Sequence, residues 1–455
     1  MRCVQPAPRR AIQDREMATA TSATPPDDLS WLARRALRVG LLSFGGPAAQ
    51  IALLHREFVD EGGRISEERF LRALNFCMLL PGPEAQQLAT YCGWLTGGLR
   101  GGLVSGLLFI LPGALLMLAL SLVYVGFGGA PLIESLFFGV KAGVLAIIVQ
   151  ALMRLSKRAL ASPFAWAVAG LAFLALRLFD LPFPLVIAAA ALAGALLGPR
   201  ARAPSAPPSA EPAARTGLGL GGLALGIALW AMPVALAALL LSPDNALVDI
   251  AGFFSTMALV SFGGAYALLS YMAQVAVEAK GWLSASEMLD GLGLAETTPG
   301  PLILVTQFVG FLGGWREVFA DRSLAGGILA AAMTTWVTFA PSFLFVLFAA
   351  PHVERLHRVR WMAGALAAIT AAVVGTILDL ALWFATNVLF VRRMPVDLGP
   401  LRLDLPDPTS LDGAALVLAI LAAVLLFALK RGVATVVATS ALAGLTLHLT
   451  GLASG

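Results

Sequence analysis

Two stretches of this 455-residue chain are near copies of each other. Ser43-Phe44-Gly45-Gly46 leads through a charged loop to Pro81-Gly82-Pro83. Ser261-Phe262-Gly263-Gly264 leads through another to Pro299-Gly300-Pro301. The offset is 218 at both ends (261 minus 43, 299 minus 81), so the windows 43–83 and 261–301 align without a gap. They share 13 of 41 positions, and the shared set is rich in residues that shape backbone. It includes Gly45/Gly263, Gly46/Gly264, Gly63/Gly281, Gly82/Gly300, Pro81/Pro299 and Pro83/Pro301, together with Ser66/Ser284. A repeat on this scale governs how the remaining sequence is read.

The repeated Gly and Pro residues sit in apolar surroundings. The chain is 58% hydrophobic and only 13% charged, with a mean hydropathy of +0.84. Soluble domains carry about 25% charge. Long apolar runs such as Gly101–Val125, Leu181–Leu197, Gly217–Leu241, Ser323–Ala350 and Ala414–Leu429 approach or exceed the roughly 20 residues that cross a bilayer. The fold class is therefore an all-α polytopic membrane protein made of two homologous helical repeats, with about 11 to 13 membrane segments.

The net charge is +4, and basic residues cluster beside apolar runs: Arg34, Arg35 and Arg38; Arg154, Lys157 and Arg158; Arg355, Arg358 and Arg360; Arg392 and Arg393; Lys430 and Arg431. This is the pattern of a positive-inside topology with contacts to anionic membrane lipid. It gives no support to nucleic-acid binding. Cys3, Cys77 and Cys92 have no metal spacing, and the four histidines form no cluster. No nucleophile elbow, phosphate-binding loop or zinc motif is present, so neither an enzyme nor a resident cofactor is expected.

Residues 1–30 are polar and Pro/Ala-rich, without the apolar core of a signal peptide, and read as a disordered tail. Met17 is a second candidate start, which would remove Cys3. A helix is expected from Trp31 to about Val59, broken at Gly45-Gly46-Pro47 because proline lacks an amide hydrogen and clashes with the preceding turn. Ser66 is the expected cap of a helix that runs into Pro81-Gly82-Pro83. Further spans are expected near 103–125 (interrupted at Pro112-Gly113), 131–153, 162–178, 181–197, 217–241, 323–350, 362–390, 411–429 and 431–450. Arg200–Arg215, rich in Ala, Pro and Ser, reads as a linker. This gives a first repeat domain over 31–198, a linker over 199–216 and a second repeat domain over 217–455.

The relative orientation of the repeats depends on which segments cross. If every apolar segment crosses once, seven crossings separate the modules and the second is inverted; a hairpin over 73–95 would make them parallel. The first module's loop carries Arg64, Arg69 and Arg72, while the second carries Glu278, Glu287 and Asp290 beside Lys280. Basic loops favour the cytoplasm, so charge favours inversion. Inverted repeats built from broken helices place a transport site at the interface of the halves.

The candidate translocation residues are those of the two breaks: Ser43, Gly45, Gly46, Pro47, Pro81, Gly82, Pro83, Ser261, Gly263, Gly264, Tyr266, Pro299, Gly300 and Pro301. Free amides at helix starts hold an anion without a charged side chain. The competing reading of each glycine is close helix packing. Glu84 and Glu296 lie beside the Pro-Gly-Pro segments, where charge is expensive and usually functional. Ionised, they repel an anion; they are candidates for accepting protons, pairing with arginine or bracing a broken helix. Lys141 and Glu134 lie seven apart on one helix and suggest either a structural pair or an attraction of substrate by Lys141. Gln87, Asn75 and Gln307 are neutral hydrogen-bonding candidates. Arg72 and Asp290 occupy equivalent repeat positions with opposite charge. Trp94, Trp282, Trp315 and Trp361 are expected as interface anchors.

These motifs resemble the chromate ion transporter family. Phe44-Gly45-Gly46-Pro47 with His55 and Phe58-Val59, then Leu79-Leu80-Pro81-Gly82-Pro83 and Phe109-Ile110-Leu111-Pro112-Gly113, look like its first domain. Ser261 to Tyr266, Gly281-Trp282-Leu283, Asp290 to Glu296, Thr298 to Pro301 and Gln307 to Gly310 look like its second. The resemblance spans nearly all of 31–450. It implies a long-chain, two-domain member in a bacterial inner membrane that exports chromate, driven by the membrane potential or by protons rather than ATP. Chromate is a structural analogue of sulfate, so sulfate or another tetrahedral oxyanion, including its uptake or exchange, is the alternative. A membrane scaffold is a more distant one, and a homo-oligomer is left open. The halves depart from each other where Glu84 faces Leu302 in the alignment.

Overall fold

The structure is a computed structural model that describes residues 28–198, 217–262, 265–319, 322–352, 360–398 and 401–450. The expected N-terminal tail up to residue 27, the Arg200–Arg215 linker, Gly263 and Gly264, Arg355 and Arg358 lie outside the described residues. Helices dominate, as the hydropathy requires.

The first module begins with α1 (Leu29–Leu42), capped by the Asp28 carboxylate, and α2 (Gly46–His55), which continues as a π-helical turn over Arg56–Asp60. The expected break between Trp31 and Val59 is present, but it is a reversal. Arg35 on α1 bonds Glu57 at 2.5 Å and Glu61 at 2.9 Å beyond α2, and Trp31 packs edge-on against Phe58. The start of α1 therefore lies beside the end of α2, and the two arms form a hairpin with Ser43–Gly46 at its tip. Pro47 sits in the first turn of α2, where its missing amide costs nothing.

A second hairpin follows. α3 (Glu67–Cys77) starts at the Ser66 cap and runs inward to Pro81-Gly82-Pro83. α4 (Glu84–Phe127) runs back, with Phe76 and Tyr91 in ring contact across the hairpin. α4 turns at Gly97-Gly98, where Gly98 adopts φ +62° and ψ −153°, a conformation open only to glycine. Its second arm then crosses the molecule. The expected interruption at Pro112-Gly113 is absent: the helix runs through Pro112, and the break lies at the glycine pair instead. α5 (Pro131–Ala159), α6 (Pro163–Phe179), α7 (Phe183–Leu197) and α8 (Leu220–Leu240) complete the sequence before the second module.

The second module repeats the plan. α9 (Ala246–Leu259) and α10 (Ala265–Met272, with a π-helical turn over Ala273–Ala279) form one hairpin, closed at its open end by Lys280 and Asp249 at 2.6 Å. α11 (Ala285–Thr297) carries a complete capping box between Ser284 and Glu287. It forms the second hairpin with α12 (Val305–Glu317), closed by Arg316 and Glu287 at 2.5 Å. α13 (Leu324–Ala349) and α14 (Arg360–Leu389) follow, then α15 (Gly413–Ala423, continued by a π turn over Val424–Ala428) and α16 (Val433–Leu449). One antiparallel β-hairpin, β1 (Arg393–Leu398) and β2 (Leu401–Pro406), joins α14 to α15; sequence reading did not anticipate it.

The two modules are inverted. α13 is the repeat counterpart of the second arm of α4, and these helices run antiparallel: Gly102 faces Leu347, Gly106 faces Phe343, and Gly82 at the centre faces Ser342. Because both paired segments of each module are hairpins, the passes between modules are the second arm of α4 and then α5, α6, α7 and α8, an odd number. The expected parity counted 41–59 and 73–95 each as a crossing; both lie in hairpins, so seven passes become five. That count changes, and the inverted orientation stands.

The halves are also interleaved. α5 packs on α15 and α16 of the other half, and its counterpart α14 packs on α6 and α7. Small residues allow these approaches: Gly139 and Gly143 of α5 face Ser440, and Gly194 of α7 faces Gly364. α8 has no counterpart and is apolar all round, exposing Leu220, Leu225, Leu236 and Leu239 as a lipid-facing helix must. Five described helices have the length and hydropathy of membrane spans, and five shorter apolar helices accompany them. Trp94 and Trp282, expected at the interface, are instead buried at 2% and 1% exposure, while Trp361 is exposed.

Candidate functional site

The hairpin tips meet in two pairs, each joining one module to the other. Each Pro-Gly-Pro glycine donates its amide to the serine that ends the broken helix of the other module. Gly82 N–H reaches the Ser261 carbonyl at 2.9 Å, and Gly300 N–H reaches the Ser43 carbonyl at 3.1 Å. Both donors lie at positive φ, +129° and +96°, which only glycine tolerates. Gly45 and Gly46 are at φ +90° and +81° and turn the chain from α1 into α2. The repeat identities at Ser43/Ser261 and Gly82/Gly300 thus encode one reciprocal contact.

Side chains reinforce this crossover. Both serine hydroxyls donate to the carbonyl three residues back, Ser43 to Gly40 at 3.5 Å and Ser261 to Ala258 at 2.8 Å, and Ser43 Oγ in addition accepts a second bond from Gly300 N–H at 3.0 Å. Gln50 Nε2 donates to the Gly300 carbonyl at 2.6 Å. Gln87 Nε2 donates to the Pro81 carbonyl at 2.7 Å, and Gln307 Nε2 donates to the Ala114 carbonyl of the other module at 3.0 Å. The carbonyl oxygens of Gln87 and Gln307, and of neighbouring Gln86, are buried without a hydrogen-bond partner. Gln50 and Ser342 were not singled out in the sequence; a lone glutamine one turn past a broken helix start was the available signal.

Four helices begin at these tips: α2 at Gly46, α4 at Glu84, α10 at Ala265, and α12 through a 3-10 turn over Leu302–Leu304. Their positive dipole ends point inward.

The remaining candidates separate. Glu84, half-buried, opens α4 and makes no hydrogen bond or ion pair among the described residues. Glu296 is buried and accepts a 2.7 Å bond from Tyr266 Oη, which brings two sequence candidates together. Asn75 is exposed on α3 and does not join the crossover. Lys141 also lies away from it. Its ammonium bonds Ser286 Oγ at 2.6 Å and lies 3.2 Å from Asp290 Oδ1, in place of the expected pairing with Glu134.

Charge divides between the two ends. The first module's hairpins open on an end lined by Arg34, Arg35, Arg38, Arg56, Arg64 and Arg72, with Arg154 and Arg158 of α5 at the same end. The second module's hairpins open on an end carrying Asp249, Glu278, Glu287, Asp290 and Asp379, where Lys280, Arg316, Lys141 and Arg177 pair with Asp249, Glu287, Asp290 and Asp379 respectively. At the first end His55 lies against Glu67 and, at 3.2 Å, Asp60.

Crossed hairpin tips, inverted repeats and a lipid-facing apolar exterior define a multi-pass membrane protein organised around a central discontinuity. The chain belongs to the chromate transporter family, whose sequence model matches residues 31–195 and 248–445. It is 36% identical to a chromate transport protein of Pseudomonas aeruginosa over 372 residues, covering 80% of this chain and 84% of that protein. It is 28% identical to a chromate transport protein of Cupriavidus metallidurans, covering 80% and 84% respectively. A probable chromate transport protein of Synechococcus elongatus is 27% identical over 78% of this chain and 85% of its own length. No solved structure matches the chain at a significant level.

Proposed function

We propose that this protein carries chromate, or a closely related tetrahedral oxyanion, out of the cytoplasm across a bacterial inner membrane by secondary active transport. The observation that carries this reading is the pairing of inward-facing helix starts across the two modules, held by the reciprocal Gly82–Ser261 and Gly300–Ser43 bonds. Each helix start favours an anion by about 0.3–2 kcal/mol, and several acting together in a poorly solvated site suit a divalent ligand without a fixed cation. Ser43, Ser261, Gln50 and Gln87 supply neutral polar groups around it. Inverted hairpins whose tips share the site allow it to face one end and then the other.

Sidedness follows from charge. The arginine-rich end takes the cytoplasmic side by the positive-inside rule. There it concentrates an anion, and the opposite end, whose basic groups are held by carboxylates, offers no comparable attraction for its return, so export is the favoured direction. Glu84 and Glu296 are the carboxyl groups next to the path, suited to moving protons or bracing the broken helices. Sulfate shares the tetrahedral dianionic shape and is the natural competitor.

Transport in oriented vesicles tests this. Labelled chromate is expected to move without ATP, to respond to an imposed potential or pH gradient, and to be competed by sulfate. Vesicles that move neither anion under any gradient overturn the reading.

A further inference from the structure

A second cluster of charge lies outside the crossover. At the acidic end a cavity of about 920 Å3 opens between the start of α5, the end of α4, α11, α15 and α16. Its floor carries Lys141, Asp290, Tyr124 and Ser286. Asp290 is 5% exposed. Its Oδ2 accepts a 2.8 Å bond from Tyr124 Oη, while Oδ1 lies 3.2 Å from Lys141 Nζ without completing a hydrogen bond. Lys141 donates to Ser286 Oγ instead. The two form a close ion pair, and a proton that adds to this buried carboxylate oxygen must displace the ammonium from it.

Arg392 reaches the lining residue Thr409 but is paired with Asp407 at 3.4 Å, and the other charged groups around the pair are acidic. Glu134 comes from α5 and Asp412 from the start of α15, where it already accepts from the Ala414 and Ala415 amides. His448 comes from α16. Glu287, on α11 itself, is occupied by Arg316 of α12. Such a vestibule disfavours an oxyanion and concentrates hydronium. Below it, the Tyr124 ring stands edge-on against Phe308 of α12 at 5.1 Å and Phe137 of α5 at 5.5 Å, an aromatic layer between cavity and core. Asp290 is nine residues before Pro299 (299 minus 290), about 13 Å along the arm that ends at the crossover. Its counterpart in the first module is Arg72, so the arrangement exists at one end only.

We propose that Asp290, held by Lys141 and Tyr124, is the site at which this protein exchanges a proton with the side opposite its arginine-rich end. Asp290 Oδ1 takes the proton of a vestibular hydronium, which leaves as water. The neutral acid keeps the Tyr124 bond and releases Lys141, whose ammonium stays with Ser286, now free to attract an anion leaving the core. The proton site stands on this geometry alone; its use in coupling rests on the oxyanion-transport reading above.

Infrared difference spectroscopy of the purified full chain tests the site without any substrate. A carbonyl stretch of a protonated acid is expected to grow on acidification, to be missing in Asp290→Asn, and to move its midpoint upward by about one pH unit in Lys141→Gln, because loss of the ammonium favours the neutral acid. Identical difference spectra for the parent protein and Asp290→Asn overturn the proposal, as does an unmoved midpoint in a folded Lys141→Gln. In vesicles, Asp290→Asn is expected to lose at least tenfold of the chromate flux driven by an imposed pH gradient; an undiminished flux overturns the coupling role. If the band titrates as described while parent vesicles move neither chromate nor sulfate, the oxyanion reading fails and the proton site stands.

Discussion

The backbone amide of Gly300 bonds both the carbonyl and the hydroxyl of Ser43, at 3.1 and 3.0 Å, across the boundary between the two modules. The reciprocal pair shares the carbonyl bond only. There the Ser261 hydroxyl bonds Ala258 in its own helix, as Ser43 bonds Gly40, but takes no bond from the glycine amide. One sequence motif thus makes a fork in one half and a single bond in the other. The inverted repeat is symmetric in its backbone and asymmetric in the side chains that hold the centre.

Ser43→Ala is therefore expected to cost more than Ser261→Ala. The first change removes a buried bond between modules, worth about 1 kcal/mol. The second removes only a local helix-end bond. Thermal unfolding of the detergent-purified protein should rank Ser43→Ala below Ser261→Ala. Equal midpoints would mean that the hydroxyl adds nothing to the carbonyl bond.

Gly82→Ala and Gly300→Ala should both be destabilising, and Gly82→Ala more so. Both backbones lie at positive φ, a strain of roughly 1–2 kcal/mol for any L side chain. A methyl on Gly82 would also strike Ser342 Oγ and Gln87 Nε2. On Gly300 it would meet the end of the Leu304 side chain at 3.1 Å, a milder contact than either of those on Gly82. Overpacking adds about 1–3 kcal/mol in the first case. Yield of folded protein and unfolding midpoint check the order, and a Gly300→Ala protein less stable than Gly82→Ala would refute it.

His55 should give the first module a stability that fades with rising pH. The bond to Glu67 raises its pKa, against the lowering effect of burial, and Asp60 raises it further. A group whose folded pKa is raised stabilises fully below its unfolded value, about 6.5 for imidazole. That contribution is lost as pH rises through the folded value. The second module has Ala273 at the equivalent position and no such clamp. His55→Gln should therefore lie furthest below the parent protein near about pH 6 and approach it in alkaline buffer. A gap that stays constant with pH would assign the clamp to neutral hydrogen bonding.

Much of this arrangement was legible in the sequence because backbone chemistry is local. Gly45-Gly46-Pro47 and the Pro-Gly-Pro segments cannot continue a helix, and the 218-residue offset places the breaks in register. What was not legible depends on partners distant in sequence. Nothing in Ser43 says that its carbonyl faces Gly300. The return of α2 beside α1 rests on Arg35 meeting Glu57 and Glu61, which residue types alone do not pair. Lys141 looked closest to Glu134 on its own helix, yet the interleaving of halves brings it to Asp290 of α11. Pro112 looked like a break, but a proline within a long packed helix is tolerated where neighbouring groups accommodate the lost bond, and the turn falls at Gly97-Gly98.

The inverted hairpins also predict opposite labelling of two loops that align in the repeat. Glu68 lies in the first turn of α3 at the arginine-rich end, and its side chain is 64% exposed. Lys280 lies at the open end of the α9–α10 hairpin and is 41% exposed. With Cys3 replaced by serine, the remaining native thiols, Cys77 and Cys92, are buried and should resist a membrane-impermeant maleimide. In intact cells the reagent should label Lys280→Cys and leave Glu68→Cys unmodified. In inside-out vesicles the pattern should reverse, since the proposed sidedness puts the arginine-rich end in the cytoplasm. Labelling of both positions from the same side would mean parallel repeats, and the antiparallel pairing of Gly102 with Leu347 and Gly106 with Phe343 could not then hold in the membrane.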